Sequence, residues 1–489
     1  MPGLGGRLAA LRLPAWRGRR VAVVLAVLLL AVVAGIGVTV LGATVLANPV
    51  AATVPPPPPV VPHPALLPAA VDGPAPTRAG VGAVLDPLVT AGGLGTLSGQ
   101  VLDPATGTVL WQRDPGAALV PGSTAKLLTA SAALLALDHL ARLHTAVLAG
   151  AEPGTVVLRG GGDPTLSAAA PGTPTGYPGA ARLDDLVSQV RAAAPGPVRR
   201  VLVDVGRYTG DALAPGWFPA DVAGGYIAPI EPVMLDGGRE DLTQEISPRA
   251  AKPATAAAAE LARRLGADPD TVAVGSAPPG AAVLGEVSSP PIQDLVATAL
   301  QRSDNVLAEA LAREVARATG AQESFPVSFS GASKAVLTVL RSHGFDVSRA
   351  TLVDGSGLSV SDAVPATLLT ALLGAAAAPD GSNADEFESN ADKAHRQRTA
   401  ALRPLLVGLP VAGGSGTLAD RYLGPAAAGR GWVRAKTGTL TGVNSLAGTV
   451  LDSEGRMLVF ALLSNGPNPV SVRPRLDALT AGLRSCGCH

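Results

Sequence analysis

The stretch PGSTAKLLTASAALLAL (residues 121–137) reads as a helix that opens on Pro121-Gly122-Ser123 and continues through Leu127, Leu128, Ala132, Leu135 and Leu137. Upstream of it, residues 97–103 and 109–113 flank Pro104-Ala105-Thr106-Gly107, a β-hairpin pattern. A second hairpin, residues 445–451 and 457–464 about Asp452-Ser453-Glu454-Gly455, precedes a closing helix over residues 472–483. Between these ends the texture changes. Residues 143–287 hold short strands such as 156–158 and 201–205, many glycines and prolines, and few strong helices, after which residues 293–319 read as one long helix. Strands at both ends with helices between them predict a mixed α/β domain, residues 80–142 and 288–489, split by an inserted accessory domain over residues 143–287. Residues 380–398, with Asp385, Glu386, Glu388, Asp392, Lys393, Arg396 and Arg398, read as an exposed loop or helix end.

The chain of 489 residues is 47% hydrophobic and 16% charged, which excludes a solvated disordered polymer. Its 38 basic and 38 acidic residues balance overall but not locally. Arg7, Arg12, Arg17, Arg19 and Arg20 precede any acid, and the first acid is Asp72. The remainder therefore carries 33 basic residues (38 less 5) against 38 acidic, a net of −5 with no basic stripe, which argues against nucleic acid as a partner. After an Arg-rich tail (residues 1–20), residues 21–46 carry no charge. As a helix they reach about 39 Å, more than the ~30 Å of a bilayer core. The arginines predict a cytoplasmic tail, a single transmembrane anchor and an extracytoplasmic body at the cell membrane, the competing reading being a cleaved signal peptide. Residues 47–79, including five consecutive prolines from Pro55, read as a semi-rigid spacer.

The chemistry rests on lysine placement. Of five lysines, only Lys126 has a serine three residues before it, in Ser123-Thr124-Ala125-Lys126. That spacing shares a helix face, so the amine can reach the hydroxyl and activate it as a nucleophile. Ser303-Asp304-Asn305, within the expected helix, supplies a hydroxyl for proton relay and an amide for a substrate carbonyl. Lys436-Thr437-Gly438-Thr439, before the second hairpin, offers a cation and hydroxyl at a strand edge for a carboxylate, with a glycine permitting close backbone approach. The ordered set S-x-x-K, S-D-N, K-T-G is that of the serine penicillin-recognising enzymes.

With Gly160-Gly161-Gly162-Asp163, Asp354-Gly355-Ser356-Gly357-Leu358-Ser359, Leu409-Pro410-Val411-Ala412-Gly413 and Gly416-Thr417-Leu418, the chain from about Leu85 onward resembles the D-alanyl-D-alanine carboxypeptidase/endopeptidase family of low-molecular-mass class C penicillin-binding proteins. The resemblance implies a DD-transpeptidase/β-lactamase-like antiparallel sheet flanked by helices and split by a mixed, strand-rich insert. The 180 residues between Ser123 and Ser303 make that insert short for the family. The resemblance further implies Ser123 as acylated nucleophile, Lys126 as its base, Ser303 and Lys436 as the rest of the proton network, and Asn305 orienting the donor amide. Lys436 and Thr437 would hold the terminal D-Ala carboxylate, Gly438 would allow the approach, and the N–H groups of Ser123 and Thr439 would form the oxyanion hole. Peptidoglycan stem peptides ending in D-Ala-D-Ala and β-lactam antibiotics are the implied partners, with no cofactor and no metal.

Two other readings remain open: a class A-like β-lactamase, which would need a positioned glutamate for deacylation, and a wall-binding pseudoenzyme. The triple glycine lacks the Gly-Lys-Ser/Thr of a phosphate loop and reads as a turn, and Asp354-Gly355-Ser356-Gly357 reads as a turn beside the active site rather than a nucleophile elbow. The six histidines show no metal spacing. Cys486 and Cys488 are poorly spaced for a mutual disulfide and read as part of an unstructured tail.

Overall fold

The computed structural model describes residues 73–242, 244–320, 325–379 and 390–488. The Arg-rich tail, the expected anchor at 21–46, most of the spacer and the first part of the charged patch lie outside these residues. Among the described residues no helix is long and apolar enough to cross a membrane.

The described chain starts with α1 (Arg78–Thr90), capped by the Thr77 hydroxyl, and continues into the hairpin β1 (Thr96–Asp103) and β2 (Thr108–Arg113). A 3-10 turn (Gly122–Ala125) then leads into α2 (Lys126–Ala136). The intervening segment contributes β3 (His144–Ala149), β4 (Thr155–Arg159), α3 (Leu183–Ala193), β5 (Arg200–Asp204), α4 (Pro253–Leu265), β6 (Ala273–Val274) and β7 (Val283–Ser288). A helical layer follows: α5 (Ile292–Gln301), α6 (Asn305–Thr319), α7 (Phe329–Ser342), α8 (Ala366–Ala377) and α9 (Asn390–Leu402). The strands β8 (Val433–Leu440), β9 (Val443–Leu451) and β10 (Met457–Asn465) and the closing helix α10 (Pro469–Arg484) complete it.

The strands from the two ends of the chain form one antiparallel sheet in the order β8-β9-β10-β1-β2. In β10 the side chains alternate between two cores. Leu458, Phe460 and Leu462 meet α1 and α10 through Val81, Leu85, Val472, Leu476 and Leu479. Val459, Ala461 and Leu463 meet the opposite layer, where α2, α5, α6, α7 and α8 pack. Because both faces are covered, β10 reads as an unbroken apolar run rather than an alternation. α2 lies deepest: every residue from Lys126 to Leu134 is buried, as expected of a helix apolar all round.

The second sheet has the order β6-β5-β4-β3-β7 and is mixed, with β3 antiparallel to β4 and β7, and β4, β5 and β6 parallel. Here the expectation of few helices needs correcting. α3 buries Leu183, Leu186, Val187 and Val190, and α4 buries Ala254, Ala257, Ala258, Leu261 and Ala262, in each case at helical spacing against Val156, Leu158, Val201 and Val203. The buried stripe of α4 is mostly alanine, whose weak hydrophobic contrast hides the periodicity in sequence.

The C-terminal tail also departs from expectation. The Thr77 backbone N–H and hydroxyl both donate to the Cys488 carbonyl, and the Ser453 N–H donates to that of Cys486. Cys486 is buried, with its Cα atom 5.0 Å from that of Cys488. The end of the charged patch is α9, with Asp392, Lys393 and His395 exposed.

Candidate active site

The site is built first by the local path of the chain at Gly122–Ala125. A 3-10 turn advances three residues per turn, which stacks position i over i+3. Ser123 therefore lies under Lys126, whose Nζ donates to Ser123 Oγ at 3.0 Å. The same Nζ donates to Asn305 Oδ1 at 2.5 Å and to the Ser356 carbonyl at 2.8 Å, so all three ammonium hydrogens have acceptors. Burial lowers the Lys126 amine to about 8, against the opposing pull of Asp354, Glu309, Asp304 and Asp362. The neutral amine is thus accessible near physiological pH, and the N-terminal end of α2 further disfavours a cation there.

Ser303 and Asp304 are not within a helix, and Asn305 is the first residue of one. The single helix expected over 293–319 is broken into α5 and α6, and Ser303 adopts a left-handed φ of 55° at the break. The physical reason is Asp304, whose Oδ1 accepts from the Leu307 N–H at 2.9 Å and caps α6. Its Oδ2 accepts from Tyr177 Oη at 2.7 Å and from Arg239 at 3.3 Å, which anchors the break to the intervening segment. Asn305 then begins α6 with its amide held at both ends: Oδ1 on Lys126, and Nδ2 donating to the Tyr226 carbonyl at 2.9 Å.

Lys436, Thr437, Gly438 and Thr439 lie on β8, the edge strand beside the 3-10 turn. Lys436 is fully buried, and its Nζ donates to Ser303 Oγ at 2.9 Å and to the Thr437 carbonyl at 2.8 Å. Burial, and then the nearby Lys126 charge, hold its amine well below the usual lysine range. A Cβ at Gly438 would collide with Ser445 Oγ and the Pro121 carbonyl, so only glycine lets β8 lie this close to the turn. Thr437 Oγ1 is 2.7 Å from Thr417 Oγ1.

A cleft of about 650 Å³ opens over Ser123, Ser303, Asn305 and Thr439, with Asp221, Tyr226, Arg239 and Arg249 of the intervening segment as one wall. A neighbouring cavity of about 640 Å³ continues past Arg239, Arg302 and Thr417. Asp354-Gly355-Ser356-Gly357 is a turn against Lys126, as read from the sequence. Glu309, the glutamate beside it, directs both carboxylate oxygens to the Gly355 N–H at 3.0 Å rather than toward Ser123. Among the described residues no group of three or more His, Cys, Asp or Glu side chains could hold a metal ion.

Thr417 lies in a quoted family-like stretch, but its spacing to Thr437 carries no signal by itself. Tyr226, Arg239, Glu309 and the Ser356 carbonyl were not identified from sequence, because each meets its partner across 46 or more residues, and Tyr226 and Ser356 do so through the backbone.

The D-Ala-D-Ala carboxypeptidase 3 (S13) family profile matches residues 82–245 and 239–483. Carboxypeptidase DacB of Mycolicibacterium smegmatis is 48% identical over 443 residues, covering 90% of this chain and 91% of that protein. A D-alanyl-D-alanine carboxypeptidase of an Actinomadura species is 29% identical, over 81% of this chain and 82% of its own. The crystal structure of penicillin binding protein 4 from Haemophilus influenzae superposes with a TM-score of 0.62 at 20% identity, covering 83% of this chain and 98% of that one, a likeness of fold. With its motifs assembled around one cleft and its sequence matched along most of its length, the chain belongs to the S13 family of D-Ala-D-Ala carboxypeptidases.

Proposed function

We propose that the protein is a serine-type D-Ala-D-Ala carboxypeptidase/endopeptidase that cleaves peptidoglycan stem peptides through an acyl-enzyme on Ser123 and is covalently inhibited by β-lactams. The observation that carries this reading is the buried Lys126 amine, 3.0 Å from Ser123 Oγ and lowered to about 8 by desolvation. In the neutral form it takes the Ser123 proton as Oγ attacks the carbonyl of the penultimate D-Ala. The oxyanion that develops is stabilised by the N–H groups of Ser123 and Thr439. Collapse breaks the C–N bond, and the departing amine takes up the proton that Lys126 removed from Ser123, passed on through the Ser303–Lys436 pair, which leaves Lys126 neutral again. Water then attacks the ester as Lys126 takes its proton, and that proton goes to Ser123 Oγ as the acid leaves. Thr437, supported by Thr417, receives the terminal carboxylate through its hydroxyl, the buried Lys436 amine being directed to Ser303 and the Thr437 carbonyl, and Asn305 orients the donor amide.

The names of relatives support substrate and inhibitor: the Actinomadura protein is a D-alanyl-D-alanine carboxypeptidase, and the Haemophilus protein has been crystallised with a β-lactam. The charge-free residues 21–46 behind five arginines support a single-pass anchor that holds the catalytic body outside the cell membrane. Fluorescent penicillin should label the full-length protein, with the adduct mapping to Ser123, and a D-Ala-D-Ala peptide should release D-alanine. In intact cells, external protease should remove the body and spare the residues before Arg20. Labelling at another residue, or none, would overturn the mechanism; a soluble mature protein starting near Asn48 would overturn the anchor.

A further inference from the structure

Residues 212–226 of the intervening segment reach across to the turn at 354–359 and the start of α6. Ala214, Trp217 and Val222 share a small apolar cluster with Val306, Phe329 and Leu358. Three polar attachments fix the strap. The Trp217 indole N–H donates to Asp354 Oδ2 at 2.7 Å, Ser359 Oγ donates to the Pro215 carbonyl at 3.2 Å, and Asn305 Nδ2 donates to the Tyr226 carbonyl at 2.9 Å. The indole meets Phe329 edge to face, with centroids 5.1 Å apart.

Asp354 is fully buried and is the hub of the turn. Its Oδ1 accepts from the N–H groups of Ser356 and Gly357 at 3.0 and 2.6 Å, and its Oδ2 from Ser359 N–H at 2.7 Å as well as from Trp217. The turn it organises presents the Ser356 carbonyl to Lys126 Nζ. On the other side, Gly357 lies so close to the Gly122 carbonyl that a Cβ could not be accommodated. The turn is wedged between the strap and the Ser123–Lys126 pair, so a change on one side must be felt on the other.

We propose that Trp217 is a positioning residue for acyl transfer: its indole N–H completes the set of donors on Asp354 and so keeps the Ser356 carbonyl on the Lys126 amine. This rests on the serine mechanism proposed above. It assigns to the intervening segment a part in activating the nucleophile, besides walling the cleft.

The test compares wild type and Trp217→Phe for β-lactam acylation rate against pH, read by mass spectrometry of the intact full-length protein. Phenylalanine keeps the ring against Phe329 and removes only the donor. The titratable groups facing Lys126 are Asp354 in the turn and Asp362 just beyond it, Asp304 and Glu309 at α6, and Lys436 from β8, all retained in the variant. The plateau rate should fall about 10- to 100-fold, the scale of a displaced catalytic group, while pre-acylation binding is unchanged. The pH midpoint should move toward acid, because an ammonium loses more than an amine does when a carbonyl acceptor withdraws. Phe218→Ala, an exposed neighbour, should move neither quantity.

A folded Trp217→Phe protein with the wild-type plateau and midpoint would overturn the proposal, as would a lower plateau with an unmoved midpoint, the mark of a purely structural role. If Trp217→Phe does not fold, 3-benzothienylalanine at the same position replaces the N–H by sulfur with little change of shape, and the same two outcomes decide. Failure of wild type to acylate at Ser123 would remove the serine reading and this inference together, whereas normal wild-type acylation with an indifferent variant removes this inference alone.

Discussion

Two serine–lysine pairs share the cleft and are made in opposite ways. Ser123 and Lys126 are three residues apart and meet because a 3-10 turn stacks them. Ser303 and Lys436 are 133 residues apart and meet because a left-handed break between two helices faces the edge strand of the sheet. Their distances are almost equal, 3.0 and 2.9 Å, but their surroundings are not. Four carboxyl groups oppose the burial of Lys126 and keep its amine near 8, within reach of both protonation states. Lys436 has burial and a like charge against it, which drives it further toward the neutral amine. The first pair is suited to taking up and returning a proton at each half-reaction, and the second to relaying one without holding charge. Similar geometry does different chemistry when the surrounding charge differs.

The hardest test of this contrast is removal of the first pair. Ser123→Ala should abolish penicillin labelling and lower kcat/KM for D-Ala-D-Ala peptides by about 10,000-fold or more, and Lys126→Met should do nearly as much, since members of one catalytic unit are not additive. Substantial turnover in a folded Ser123→Ala protein would break the assignment. The second pair should matter less. Lys436→Met and Ser303→Ala are expected to cost about 100- to 10,000-fold, the range of general acid–base catalysis, with the double variant no worse than the more damaging single. The pH profile sharpens the comparison. Wild-type acylation should rise with pH and level off above about 8 as Lys126 loses its proton, and Lys436→Met should lower that plateau without moving its midpoint. A shifted midpoint would mean that Lys436 carries charge in the resting enzyme.

Effects on substrate reading are expected to be smaller. Thr437→Val removes a donor to the terminal carboxylate, and a charge-assisted bond of about 1.5–3 kcal/mol corresponds to roughly a 10- to 150-fold loss of kcat/KM on the free peptide. An amidated peptide, already lacking the charge, should lose much less; equal losses would show that Thr437 does not read the carboxylate. Thr417→Val removes only a neutral partner of Thr437, and a loss of about 2- to 13-fold is expected.

The smallest effect on turnover belongs to Glu309→Gln, which retains an acceptor for the Gly355 N–H. Its signature is in stability. Burial, then Asp354, raise the Glu309 carboxyl from 4.5 to about 8, so the folded protein holds a proton that the unfolded chain releases. That contribution is complete below pH 4.5 and is lost as pH rises toward 8. Relative to wild type, the variant should gain stability over that window, by at most about 1.4 kcal/mol per pH unit, measured by denaturant unfolding at stepped pH. Parallel curves would show that Glu309 titrates normally and does not share the buried charge around Lys126.

Much of the fold was legible because it is local. The hairpins at Pro104–Gly107 and Asp452–Gly455 have turn residues between apolar runs, and the helix after Ser123 is apolar throughout. Asp304 was legible in principle as a helix cap, yet the strong helical pattern on both sides concealed the break at Ser303. α4 was hidden because its buried face is alanine. The tail cysteines were misread because their order depends on Thr77, at the other end of the described chain.

By itself the sequence determined the identities and order of the chemical groups and the one pairing that a single turn can make, Ser123 with Lys126. Only the tertiary structure decided the rest: that Asn305 and Ser356 join Ser123 as acceptors for Lys126, that Lys436 meets Ser303, that Thr417 backs Thr437, and that Trp217 reaches Asp354. The reason is physical. Spacing within a helical turn sets an i to i+3 contact directly, whereas contacts across 20 to 230 residues, and the burial that lowers both lysines, exist only once the sheet and the helical layer have closed on each other.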